Sequence, residues 1–133
     1  MSLQAGLTHE RSFTVTEDLT TDVKGSVANR VLSTPMLVKS MERTAMAAIW
    51  DDLPEGSTCV GYAICIKHVS SAPLGGHCQA SAVLTEIVDG RKLHFDVRVE
   101  YDGRVVGVGT HERRIIKSGS FDKRNKGGGD DAS

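Results

Sequence analysis

The 133 residues suffice for one domain with a modest core. Sixteen Lys plus Arg stand against seventeen Asp plus Glu, a net charge of -1, which gives no overall pull toward nucleic acid or an anionic membrane, so an anionic ligand needs a local patch. No run approaches the roughly 18 apolar residues of a membrane span, and Cys59, Cys65 and Cys78 lack zinc-type spacing, which predicts reduced, buried thiols in a cytoplasmic protein.

A short strand is expected at "HERSFTVTE", where Phe13 and Val15 alternate with polar neighbours. Residues 17 to 33 carry turn-forming and polar residues and no aromatic, and read as an irregular lead-in. A helix follows over about Pro35 to Asp51. Thr34 or Ser33 offers the N-cap oxygen, Pro35 suits the first helical position, and Pro54 and Gly56 lie beyond the end. Leu37, Val38, Met41, Ala45, Ala48 and Ile49 fill one arc, and Met36, Met46, Ala47 and Trp50 add apolar groups elsewhere, which predicts a helix buried nearly all round.

The run "STCVGYAICIKHV" is a strand candidate with Val60, Tyr62, Ile64, Ile66 and His68 in phase. Residues 75 to 116 hold three more β-rich runs, separated by Asp89-Gly90 and Asp102-Gly103, the dipeptides of tight hairpins. In "KLHFDVRVEY", Leu93, Phe95, Val97, Val99 and Tyr101 fall on one face. The tail 119–133 is rich in Gly and charge and reads as disordered, leaving residues 1–118 as the domain. The expected order is a strand, the lead-in, one helix, then about four strands as an antiparallel meander. A single helix so apolar must be wrapped by the sheet, and dimerisation is the cheap way to cover what is left. A curved antiparallel sheet around one central helix is the α+β hotdog fold.

Three residues carry candidate chemistry. Thr34 has a structural explanation as a cap, yet the same position sets its hydroxyl beside the free N–H groups and positive end of a helix, where a substrate carbonyl or oxyanion could be held. Glu42 has Val38, Lys39, Ala45 and Met46 as its helical neighbours. It is either salt-bridged to Lys39 or Arg43, or a partly desolvated carboxylate fit for general-base work. His68 shares the apolar phase of its strand, as a hydrogen-bonded core histidine or as a catalyst. Eight helical residues rise about 12 Å, so Thr34 and Glu42 cannot touch along one straight helix.

The segments "STPMLVKSME", "LPEGSTCVGYAICIKHVSSAPLG" and "GTHERRII", in that order, resemble the fluoroacetyl-CoA thioesterase type of hotdog acyl-CoA thioesterase, from about residue 8 to residue 116. The resemblance implies a catalytic set of Thr34, Glu42 and His68, with Gly61 lying against the thioester. It implies a homodimer with sites at the subunit interface, and coenzyme A as part of the substrate rather than as a separate cofactor. Fluoroacetyl-specific members carry gate phenylalanines ahead of the helix, and residues 17 to 33 have none, so the resemblance carries thioester hydrolysis without the fluoroacyl selectivity. Met36 and Tyr62 are expected to shape the acyl pocket. Arg113, with Arg114, Lys117, Arg30 and Lys67, is a candidate cation for the CoA phosphates, all being read as solvent-facing. The rival reading is a non-catalytic acyl-CoA or small-ligand binding domain, in which Thr34 is only a cap and Glu42 only an ion pair.

Overall fold

The computed structural model describes residues 3–22 and 29–118. The expected disordered tail, 119–133, lies outside them. Strand β1 (Thr8–Thr14) leads through a 3-10 turn at Glu17–Leu19 into two short strands, β2 (Thr20–Asp22) and β3 (Arg30–Leu32), which pair with each other. The expected irregular lead-in is thus partly a small ribbon, anchored where Leu32 N donates to Ala72 O and Ser33 N to Leu19 O. Helix α1 (Thr34–Ile49) follows, then β4 (Ser57–His68), β5 (His77–Val88), β6 (Lys92–Tyr101) and β7 (Arg104–Lys117).

These strands form one antiparallel sheet in the order β1-β5-β6-β7-β4. The meander holds for β5, β6 and β7, whose turns use Asp89 with Gly90 and Asp102 with Gly103, all four at the positive φ that primed hairpin turns require. It does not extend to β4, which crosses over to pair with β7 and lies at the sheet's edge.

The sheet curls around α1 because its inner face is small where the helix lies closest. Ala80 and Ala82 of β5 are buried there, and a Cβ on Gly107 of β7 would sit 2.6 Å from Leu37 Cδ2. Larger side chains on the same face, Leu84, Leu93, Phe95, Val97 and Val99, close the core around Leu37, Met41, Ala45 and Ile49. Each fully buried side chain of this size contributes about 1.5–3 kcal/mol. The helix is not buried all round, however. Lys39, Arg43 and Ala47 face outward, and Trp50, in a 3-10 turn after the helix, is 57% exposed.

Strand β4 departs from simple alternation. Its pairing with β7 slips between Gly61 and Ala63, a bulge with Tyr62 as the extra residue. Cys59 and Gly61 before it and Ile64, Ile66 and His68 after it therefore share the helix side. The expected common phase of Tyr62 with His68 fails for this reason: Tyr62 is 61% exposed, with the Arg114 guanidinium 3.5 Å above its ring. Cys65 likewise faces out, while Cys59 and Cys78 are buried; all three are free thiols.

Candidate active site

The two possible caps of α1 have separate tasks. Ser33 is the N-cap: its Oγ accepts from Met36 N at 3.3 Å, and its carbonyl accepts from Leu37 N. Thr34, released from capping, is the first helical residue, and its Oγ1 lies 2.8 Å from His68 Nδ1. Burial pushes the His68 pKa below its ordinary value, so the imidazole is neutral near neutral pH and the Thr34 hydroxyl can donate to an unprotonated Nδ1.

Two turns further along, Glu42 occupies a different setting. Neither of the salt bridges suggested by its neighbours exists: the ion pairs of the described residues are Lys92–Asp89, Arg98–Glu100 and Arg114–Glu112. Instead the carboxylate faces the bare backbone of Gly61. A Cβ built there would be 3.7 Å from Glu42 Oε2, 3.7 Å from Arg113 Nη1 and 3.8 Å from His111 Cε1. Glycine keeps open a gap that a carboxylate, a guanidinium and an imidazole surround.

Arg113 does not face solvent, as expected of a phosphate-binding cation. It is 2% exposed, because β7 turns it toward the helix in register with Gly61. Its Nε donates to Cys59 Sγ at 3.2 Å, and its Nη1 lies 3.3 Å from His111 Nε2. His111, 3% exposed and stacked on Phe95, has Nδ1 at 2.9 Å from Ala63 O. A carbonyl only accepts, so Nδ1 carries the proton and Nε2 accepts from Arg113. The bulge in β4 is pinned to β7 by this chain of contacts. Arg114 is engaged too, donating to Glu112 at 2.6 Å.

A groove of about 520 Å³ opens over this cluster, lined by Lys39, Glu42, Arg43, Met46 and Arg113. The structure thus brings together Thr34 with His68, and Glu42 with Gly61. No hydrogen bond joins the two pairs among the described residues, as the helical rise requires. Met36 belongs to neither, lying on the β1 side of the helix with Phe13 and Leu19. His111 was not among the residues the sequence singled out, although it borders the Gly61 gap together with Glu42. A signal was present, since His111 and Arg113 share their phase along β7 with Gly107 and Ile115, which pack inward.

A profile of the family described as "FlK: Fluoroacetyl-CoA-specific thioesterase" matches residues 15–119. The fluoroacetyl-CoA thioesterase of Streptantibioticus cattleyicolor is 32% identical over 94 residues, 71% of this chain and 67% of that protein. A crystal structure of a point mutant of the fluoroacetyl-CoA-specific thioesterase FlK superposes with a TM-score of 0.82 at 26% identity, covering 95% of this chain and 97% of the other. A thioesterase superfamily member from Thermus thermophilus has the same fold, with a TM-score of 0.82 at 22% identity over 92% of this chain and 90% of its own. The wrapped helix and the sequence match together establish that this chain is a hotdog-fold protein of the fluoroacetyl-CoA-specific thioesterase family.

Proposed function

We propose that the protein hydrolyses a small or short-chain acyl-CoA thioester to the free acid and CoA. The observation that carries this reading is the Glu42 carboxylate, without an ion-pair partner among the described residues, facing Gly61 beneath an open groove. A thioester carbonyl laid against Gly61 would have Glu42 beside its carbon, and Glu42 would either draw a proton from the attacking water or attack directly. Thr34 orients the thioester near the helix N-terminus, and His68 takes up the proton that Glu42 draws from the water and passes it to the departing thiolate. The absence of aromatic residues from 17 to 33 favours an acyl group other than fluoroacetyl.

The two half-sites lie two turns apart on one helix, which supports a composite site shared between two copies. Strand β4 is 12 residues long and outermost in the sheet, so one side of its hydrogen-bonding ladder is open for a second copy to add antiparallel. Such pairing sets the Glu42 end of one protomer toward the Thr34 end of its mate. Mixing two inactive variants, Glu42→Gln and His68→Ala, then regenerates one complete site per mixed dimer. Persistent inactivity after verified subunit exchange would assign each site to a single protomer.

The reaction is tested by thiol release from a panel of acyl-CoAs, native against Glu42→Gln. Turnover by the native protein and a loss of about 10²-fold or more in the amide variant are expected for an acid/base group. If neither releases thiol yet both bind acyl-CoA, the protein is a binding domain. A second reading, in which Thr34 is a nucleophile activated by His68, is favoured by their 2.8 Å contact. It requires an acyl-enzyme at Thr34, visible by mass spectrometry, and complete loss of turnover in Thr34→Ala.

A further inference from the structure

The outward face of α1 has a charge pattern the proposed chemistry does not use. Lys39 and Arg43 are spaced i, i+4, where like charges destabilise a helix, and no carboxylate lies within ion-pair distance of either among the described residues. On the β1 side of the helix they border a recess of about 180 Å³. Arg11 of β1 enters it from the sheet, Phe13, Leu19 and Met36 line it with apolar surface, and Asp18 and Ser40 complete it. The Asp18 carboxylate already accepts from the Thr16 hydroxyl. Three cations against one carboxylate leave the recess with a net excess of positive charge. Its volume is below that of a drug-sized ligand site and suits a compact anion.

The recess is also continuous in its lining with the groove over Glu42, since Lys39 and Arg43 border both. A ligand with its reacting end at Glu42 can cross the ridge formed by these two side chains and end at Arg11. The width to be crossed is that of one helix with its side chains, roughly 10–12 Å. The pantetheine arm of CoA is long enough to do so, and it separates a thioester from a pyrophosphate and a phosphate monoester. Among the cations first considered for those groups, Arg113 is buried and Arg114 is held by Glu112 and Tyr62, whereas the side chains of Arg11, Lys39 and Arg43 are uncommitted among the described residues.

We propose that Arg11, Lys39 and Arg43 form the subsite that holds the phosphate groups of a CoA thioester whose carbonyl lies at Glu42. This rests on the thioesterase reading for the position of the carbonyl, but the subsite itself is testable without turnover. Converging guanidinium and ammonium groups give charge-assisted hydrogen bonds to phosphate oxygens, and bound phosphate relieves the repulsion between Lys39 and Arg43.

The test is calorimetric binding of CoA, pantetheine and inorganic phosphate to the native protein, to Arg11→Gln, to Lys39→Gln/Arg43→Gln, and to Arg91→Gln as a charge-loss control on the β5–β6 hairpin. Native protein is expected to bind CoA more tightly than pantetheine, and both recess variants to weaken CoA about tenfold or more, as expected for lost hydrogen bonds to charged groups. They should erase most of the preference over pantetheine, while Arg91→Gln keeps it. Unchanged CoA affinity in the recess variants, equal losses for CoA and pantetheine, or no CoA binding by the native protein would overturn the subsite. Inorganic phosphate binding as tightly as CoA would mark a free-anion site and overturn the assignment to CoA. If the subsite behaves as expected while no thioester is hydrolysed, the chemistry at Glu42 fails and the phosphate site stands.

Discussion

The two ends of the candidate site differ in how they are built. At the N-terminus of α1, Thr34 is exposed and joined to His68 by one hydrogen bond, and the cap beneath it is a separate residue, Ser33. Two turns on, Glu42 faces a buried network in which Arg113, His111, Cys59 and the Ala63 carbonyl hold one another across the β4 bulge. At the first end the proposed chemistry and the stability of the helix rest on different side chains. The second joins them, since the groups that border the carboxylate also fix the edge strand. Substitutions at the two ends should therefore behave differently.

The largest effect is expected where both ends lose their support. A methyl on Gly109 would run into the backbone of β4, against Cys65 O and with Ile66 Cα at 2.6 Å, so the strand carrying both Gly61 and His68 must move. Gly109→Ala should destabilise by about 3 kcal/mol, the upper part of the overpacking range, read from urea midpoints. Gly61→Ala is the contrast. Its methyl meets Glu42, Arg113 and His111 only at 3.7–3.8 Å, and Gly61 is not among the positive-φ residues. This variant should fold like the native protein while losing about tenfold or more in turnover, because the methyl occupies the gap where the carbonyl would lie. A Gly61→Ala protein with full activity would remove the thioester from that gap.

The ends also differed in how far the sequence revealed them. The helix was legible because Pro at a helix start and apolar periodicity are local signals, whereas Thr34 and Glu42 were singled out through the family resemblance, and periodicity alone did not decide that Ser33 rather than Thr34 is the cap. The hairpins were legible as well, since Asp-Gly dictates positive φ at both turns. The face of Tyr62 was not, because one inserted residue reverses alternation, and Gly61 in "CVGYAIC", a residue type that often accompanies bulges, does not fix which neighbour is the extra one. The setting of Arg113 and the edge position of β4 were hidden for a related reason: both depend on pairing between β4 and β7, whose partners run from Ser57 with Lys117 to His68 with Gly107 and are far apart in sequence. A buried arginine is rare enough that an exposed one was the natural expectation.

At the helix N-terminus, separation of tasks gives a smaller pair of effects. Ser33→Ala removes an N-cap acceptor and should cost about 1 kcal/mol of stability. Thr34→Ala removes an exposed hydroxyl and should cost within about 0.5 kcal/mol, while abolishing the His68 contact and lowering turnover. Equal stability losses in the two would mean that Thr34 shares the capping after all.

The last and smallest expected effect belongs to the buried end and is set by pH. Burial pushes the His111 pKa below its ordinary value of 6.5; the bond to Ala63 O opposes this in part, and the nearby Arg113 charge adds a smaller push downward. The unfolded chain therefore binds the proton more readily than the native protein does. Stability attributable to His111 is complete above about the ordinary histidine value and is lost as pH falls from there toward the lowered native value. Protonating Nε2 would also set a second cation against Arg113 Nη1 and remove the lone pair that accepts from it. His68, shifted the same way by burial alone, adds to the trend. Urea midpoints at pH 7.5 and 5.5 should fall on acidification, and His111→Gln, which keeps a polar group without titrating, should reduce the fall. An unchanged fall in that variant would place the titration elsewhere, leaving His111 as packing against Phe95 rather than as the group that holds Arg113 toward the carboxylate.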